Sequence, residues 1–177
     1  MTSKMNFNIK FYNTSIILLF FFTLFISGCK IYSFTGTTLD KEIKTFSIQN
    51  FTLSTAGGPQ NMSYTFNEKL KEYYQRNTDL KFKPQDGDLH LEGTIVTYEL
   101  TPISATASDK AAVNRLTIGI EVRFVNRLNE ELNFEKQFTF YQDFSQEKSL
   151  SQVEPVLVPK ILEQLVLNIF NETAATW

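Results

Sequence analysis

The single cysteine of this chain, Cys29, is the residue that most constrains how the chain can fold. An uncharged run of eleven residues, 16–26, precedes it, followed by the small residues Ser27 and Gly28. Two lysines stand before the run, as in an export signal, and the run is too short to span a bilayer, which takes about 20 apolar residues. Because a thiolate can attack a lipid donor as no other side chain here can, the sequence predicts that Cys29 is lipidated and that residues 1–28 are a removed signal peptide.

The segment Ile26-Ser27-Gly28-Cys29 resembles the lipobox of bacterial lipoproteins, with isoleucine where leucine is usual. The alternative is an ordinary secretory signal followed by a chance cysteine. The next residue, Lys30, is not the aspartate of inner-membrane retention signals, and no acidic cluster of the surface-export kind follows. The resemblance therefore implies an outer-membrane lipoprotein on the periplasmic side, with residues 29–41 as a lipidated tether.

Lipidation of Cys29 would also decide what stabilises the rest of the chain. The mature chain would have 149 residues and no thiol left for a disulfide. That length fits one domain, over residues 42–177, stabilised by an apolar core. The mature part carries 15 Lys and Arg against 19 Asp and Glu, and this acidic balance predicts no nucleic-acid binding.

Apolar periodicity predicts an α+β domain. Alternating apolar residues predict strands at 45–51, 89–100, 116–124 and 134–141. A first helix would bury Phe66, Leu70, Tyr73 and Tyr74, and a last helix carries an apolar stripe between Ile161 and Phe170. The order βαβββα predicts a two-layer sandwich of about four mostly antiparallel strands, with both helices packed on one face.

Two of these elements carry further expectations. In the strand at 89–100, the apolar residues change face after Ile95, which predicts a sheet contacted on both sides. In the last helix, Ser151 and Glu154 have the spacing of a capping box. Pro155 and Pro159 predict either kinked first turns or a regular helix that starts near Val158.

Three stretches carry a resemblance to a known family: residues 28–36 (GCKIYSFTG), 111–118 (AAVNRLTI) and 163–171 (EQLVLNIFN), the last followed by Trp177. They look like the Bacteroidetes-type branch of the LptE family, and the resemblance includes the order of elements. It implies a lipoprotein that plugs and helps assemble an LptD-like outer-membrane barrel and that contacts lipopolysaccharide. Pro155 and Pro159 depart from the family pattern, in which this helix starts without interruption.

The residues predict no catalysis. His90 is the only histidine, and its position at the start of a strand favours a surface or edge residue over a catalytic base. With Cys29 blocked, no Cys/His or Ser/His/Asp constellation and no zinc site can be assembled, so no catalytic residue, metal or cofactor is predicted. Asp86-Gly87-Asp88 is interpreted as a turn, because calcium needs six or more oxygens. An acid-only hydrolase stays open.

Three basic residues are the candidate contacts for lipopolysaccharide, because phosphates bind Arg and Lys: Lys110, Arg115 and Arg123. Arg115 and Arg123 share a strand face but lie about 27 Å apart, too far to hold one phosphate together. Lys110 and Arg115 are nearer, at a loop end. The alternative is that these are solvated charges paired with Glu121 or Glu99.

A different class of function also stays open. The chain could be a free-standing periplasmic lipoprotein that binds a glycan or another envelope protein and has no barrel partner. Co-purification with a large barrel distinguishes the two hypotheses.

Replacing the predicted lipid acceptor tests the anchor. We expect Cys29→Ala to leave the domain folded but no longer membrane-bound, because the core lies elsewhere in the chain. Labelled fatty acid fed to cells is the probe. Label in the Cys29→Ala variant, or none in the wild type, would contradict lipidation at this residue.

Overall fold

The computed structural model describes residues 39–103 and 112–175. These residues form six strands and two α-helices, with a short 3₁₀ helix, Glu130–Leu132, between the last two strands. None of the described helices is long and apolar enough to cross a membrane. In chain order the elements are β1 (Thr45–Ile48), β2 (Thr52–Leu53), α1 (Met62–Asn77), β3 (Lys81–Phe82), β4 (Leu89–Ile103), β5 (Val113–Asn126), β6 (Phe134–Ser145) and α2 (Leu150–Thr173).

The strands form one mixed sheet in the order β3-β1-β4-β5-β6, and β2 pairs with β4 beyond the end of β1. β4 with β5 and β5 with β6 are antiparallel. The pairs β1–β3, β1–β4 and β2–β4 are parallel, which the intervening α1 makes possible by carrying the chain back across the sheet. The predicted α+β class with two helices is confirmed, whereas four strands in the order βαβββα is wrong. β2 and β3 have two residues each, too few to show a period.

One face of the sheet is covered by the helices. The even-numbered residues of β5 from Leu116 to Phe124 are buried and share one core with both helices. From the helices, this core receives Phe66, Leu70 and Tyr74 of α1 and Ile161, Leu165 and Ile169 of α2. The odd-numbered residues of β5 point to the opposite side, which we call the open face. The alternation along β5 therefore separates core from surface.

A β-bulge at Val96 changes which way the end of β4 points. Ile95 pairs with Ile120, but Tyr98 pairs with Ile118, so β4 has one extra residue here. The bulge returns Tyr98 and Leu100 to the helix-covered face that also carries Leu89, Leu91 and Ile95. The predicted change of face along this strand is wrong because a strict period of two does not allow for an inserted residue. A sheet contacted on both sides stays a prediction.

Tyr98 then links three parts of the fold. Its hydroxyl donates to Glu154 of α2, and burial raises the pKa of Tyr98, which keeps that hydroxyl protonated. Its ring lies against Gly57 and Gly58, where an added Cβ would come within 2.8 and 2.9 Å of ring atoms. Gly58 also has a φ of 94°, which favours glycine. The glycine pair is therefore needed for this ring to pack.

Helix α2 begins earlier than predicted. Ser149 is the N-cap and its backbone N–H donates to Gln152 Oε1 at 2.9 Å, so the cap is two residues before the predicted Ser151. The helix runs without a break through Pro155 and Pro159, so a start near Val158 is wrong. Each proline removes one backbone hydrogen bond. The buried stripe that starts at Leu157 and Val158 offsets that loss by packing against the sheet.

Aspartate substitutions on the two layers test the assignment of faces. We expect Ile120→Asp and Leu165→Asp each to lower the free energy of unfolding by more than about 3 kcal/mol, because each buries an unpaired charge. Thr139→Asp, at an exposed position of β6 opposite Gly119, should cost less than about 1 kcal/mol. Urea unfolding measures all three. Similar small effects at the three positions would show that the faces are assigned wrongly.

Candidate functional site

The open face of β4, β5 and β6 is a broad polar surface. Because the three strands pair in register, their outward side chains form rows across the sheet. It carries more carboxylates than cations: two arginines, Arg115 and Arg123, stand among five acidic residues. Its rows include Glu92–Arg123–Glu135, Thr94–Glu121–Gln137, Glu99–Thr117–Tyr141 and Thr101–Arg115–Asp143.

Arg115 is held in a fixed position at one end of this face. Its Nε and Nη2 donate to the two carboxylate oxygens of Asp143 at 2.7 and 2.9 Å. The guanidinium carbon lies 3.7 Å from the ring centroid of Tyr141, a cation–π contact. The Arg115 hydrogen bond lowers the pKa of Asp143, and the pKa of Arg115 is raised in turn. The guanidinium therefore presents a rigid, charged fork, already occupied by a carboxylate.

Arg123 lies at the other end of the same face, as predicted. Its Nη1 donates to Glu92 Oε1 at 2.7 Å, and its side chain is 60% exposed. The expected alternative partners, Glu121 and Glu99, are wrong: the acidic partners are Glu92 and Asp143. Both are direct cross-strand neighbours, which lie closer than residues two positions along a strand. Counting outward from the turn between β5 and β6 could have identified Asp143, but only if the register were known.

Two of the predicted site residues, Cys29 and Lys110, lie outside the described residues. The pairing of Lys110 with Arg115 and the lipidation of Cys29 therefore stay predictions. Arg115 itself is two residues from the start of β5, at the end of the strand closest in sequence to Lys110.

His90 occupies a half-buried position on β4, which has paired strands on both sides, so it is not an edge residue. Its Nδ1 lies 2.8 Å from the hydroxyl of Ser47, and its Nε2 lies 3.7 Å from Glu92 Oε2. Ser47 is fully buried and also accepts from the backbone N–H of Gly87. A buried hydroxyl cannot reach a substrate, so these contacts position strands.

The Asp86-Gly87-Asp88 segment connects β3 to β4, and both carboxylates are in use. Asp88 accepts the backbone N–H groups of Lys44 and Thr45 at 2.9 Å each, and its own carbonyl accepts from Arg127 N. Asp86 accepts from Arg127 Nη2 at 2.6 Å. Within residues 39–103 and 112–175, no three His, Cys, Asp or Glu side chains lie close enough to hold a metal ion. The interpretation as a turn fits these contacts.

Comparison with known proteins identifies the family of this chain. A sequence model of the LptE family, described as lipopolysaccharide-assembly, matches residues 43–173. No curated protein sequence matches the chain significantly.

Two solved structures have a similar fold. The rare lipoprotein B from Shewanella oneidensis has a TM-score of 0.52 at 13% identity, over 72% of this chain and 92% of that protein. An uncharacterized lipoprotein B from Nitrosomonas europaea has a TM-score of 0.53 at 16% identity, over 80% of this chain and 87% of that protein. At these identities the likeness shows the fold alone.

The contacts of Asp88 predict a pH-dependent contribution to stability. The hydrogen bond from the backbone N–H of Lys44 lowers the pKa of Asp88. Its stabilisation is therefore present above the unfolded pKa of about 3.9 and is lost as pH falls through the lowered folded value. We expect Asp88→Ala to cost about 1–3 kcal/mol at pH 7, because two backbone donors lose their acceptor.

Asp88→Asn is the matched control, since its amide oxygen still accepts a hydrogen bond. It should cost less than the alanine variant, and its difference from wild type should shrink below about pH 4. Urea unfolding at pH 7 and pH 3 is the measurement. A difference that stays constant with pH would contradict an ionised Asp88 in this role.

Proposed function

The chain belongs to the LptE family of lipopolysaccharide-assembly proteins, and from this membership we propose that it is an outer-membrane lipoprotein that plugs and helps assemble an LptD-like barrel. In this proposal Cys29 carries the lipid, and the domain takes part in moving lipopolysaccharide to the outer membrane without catalysing a reaction.

The polar open face is the observation that most supports a plug. The lumen of a large outer-membrane barrel is lined by polar side chains and filled with water. A domain placed there needs a surface that stays stable in water and can hydrogen-bond to a polar wall. The open face meets both needs. Its two arginines are paired with carboxylates across strands, and its remaining carboxylates, its threonines and the Tyr141 hydroxyl are available to water or to a wall.

Lipopolysaccharide carries phosphates, and we propose Arg115 together with Lys110 as their contact, with Arg123 as a weaker candidate. The Arg115 fork matches two phosphate oxygens as well as it matches the carboxylate of Asp143. The side chains of Arg115 and Asp143 are 32% and 37% exposed, and an exposed ion pair contributes only about 0–1 kcal/mol, so a phosphate could replace the carboxylate. The surrounding acidic residues oppose anion binding elsewhere on this face.

One purification with two readouts tests the function. A tagged chain extracted from its own membranes in mild detergent should recover a large barrel and retain lipopolysaccharide. Absence of any barrel would instead support a free-standing lipoprotein that binds a glycan or another envelope protein.

Charge variants then separate the two contacts. Lys110→Glu/Arg115→Glu should lower lipopolysaccharide binding while barrel recovery is kept, because a phosphate contact is local and the barrel contact buries much more surface. Asp143→Asn should raise lipopolysaccharide binding, because it frees the Arg115 guanidinium. Both effects should fall with salt, since exposed charges are screened beyond about 8 Å at physiological ionic strength.

Arg123→Glu is the matched control on the same strand face, and we expect it to change binding less. If Asp143→Asn and the double reversal leave binding unchanged at every salt concentration, Arg115 is not the phosphate contact. If the double reversal loses the barrel but keeps lipopolysaccharide, these residues belong to the protein interface.

A further inference from the structure

The connection between β5 and β6 is held rigid by three asparagine side chains. Asn126 Oδ1 accepts from the backbone N–H groups of Leu128 and Asn129 at 3.0 and 3.1 Å. Asn129 Oδ1 accepts from Glu131 N at 3.2 Å, and Asn133 Oδ1 accepts from Asn126 N at 2.6 Å. We call residues 126–133 the latched turn. Because side chains satisfy its backbone donors, the turn has one defined shape before it meets any partner.

The latched turn holds two leucines out in solvent. Leu128 is 50% exposed and Leu132 is 46% exposed, and neither belongs to the apolar core. Single exposed leucines are ordinary on protein surfaces. Here two of them stand on one short turn whose shape is fixed by side-chain hydrogen bonds, so the apolar surface is presented in a constant geometry. Pre-organised apolar surface of this kind is typical of a binding contact.

The latched turn lies at the end of the domain where the chain enters it. Asp88 joins the two: its carboxylate binds the backbone of Lys44 and Thr45 just before and at the start of β1, and its carbonyl accepts from Arg127 N in the latched turn. The ion pair of Arg127 with Asp86 adds a second connection. The end that displays the leucines is thus also the end that follows the proposed lipid tether.

Two surfaces could meet leucines at this end, the lipid bilayer or a protein. Glu130 and Glu131 stand between the leucines, and both are exposed. Pushing the leucines into lipid would bring these two carboxylates into the headgroup layer, where they would lose water and be repelled by lipid phosphates. A protein surface with an apolar pocket and a basic rim would accept both the leucines and the carboxylates. Charge complementarity therefore favours a protein.

We propose that the latched turn docks into an apolar pocket with a basic rim on the barrel partner, at the end of the domain where β1 begins. This inference rests on the proposed function for the existence of the barrel, but it concerns a different surface from the open face and from Arg115. Leu128 and Leu132 fill the pocket, and Glu130 and Glu131 meet the rim.

The full-length lipoprotein, purified from its own membranes, tests this proposal. We expect Leu128→Ser/Leu132→Ser to recover about tenfold less barrel than wild type after a stringent wash, as for a pair of interface hot-spot residues. The matched control is Tyr64→Ser/Val156→Ser, which removes two side chains that are 69% and 56% exposed, on the first turn of α1 and the second turn of α2. The control should recover barrel within about twofold of wild type.

A second pair of measurements makes the outcomes decisive. Glu130→Lys/Glu131→Lys should also lose barrel, and most at low salt, because like charges then face each other. A photoreactive benzoylphenylalanine at position 132 should form an adduct with the barrel. If wild type recovers the barrel while the leucine variant recovers as much and position 132 gives only lipid adducts, the turn contacts membrane and the proposal is overturned. If even wild type recovers no barrel, the proposed function is contradicted, and so is this inference, because it depends on the barrel.

Discussion

The fold depends on the long central strand β5, which buries one side and exposes the other. Leu116, Ile118 and Ile120 are fully buried against the helices, and the residues between them face outward. A slip of one residue in its pairing would reverse every side chain, so burial of this one face specifies the register of β4 and β6 as well. The polar rows of the open face are a direct consequence, because they are the residues that the same register leaves outside.

The bulge at Val96 keeps the apolar residues of β4 on the helix-covered face, where strict alternation would place some of them on the open face. Without the extra residue, Tyr98 and Leu100 would point to the open face and add apolar surface to it. With it, Tyr98 reaches Glu154 at the start of α2 and packs on Gly57 and Gly58. A glycine pair, a bulged valine and a helix glutamate, from three separate parts of the sequence, therefore all contribute to the packing of Tyr98. It joins β4, the loop before α1 and α2.

The apolar periodicity of the sequence predicted the strands and helices that are long enough to show it. The alternation in β5 and β6 and the stripes of both helices follow directly from residue spacing, and so does the placement of Arg115 and Arg123 on one face. Pattern missed β2 and did not count β3 as a strand, because each consists of two residues and pairs only in parallel with a distant strand. It also missed Asp143 and Glu92 as partners of the two arginines. Those contacts depend on cross-strand register, which the sequence alone does not predict.

The proposed lipid anchor by itself would not orient the domain. The sixteen residues from Cys29 to Lys44 make fifteen Cα–Cα steps and can span at most about 50 Å by covalent geometry. That is more than the width of five strands about 4.8 Å apart. In the proposed complex with a barrel, the orientation of the domain would then come from protein contacts at more than one place. The open face could lie along a polar wall in several registers, because its hydrogen-bonding groups repeat from row to row. A rigid turn with two leucines at one end has no such repeat, so it can set the position that the flat face leaves undetermined.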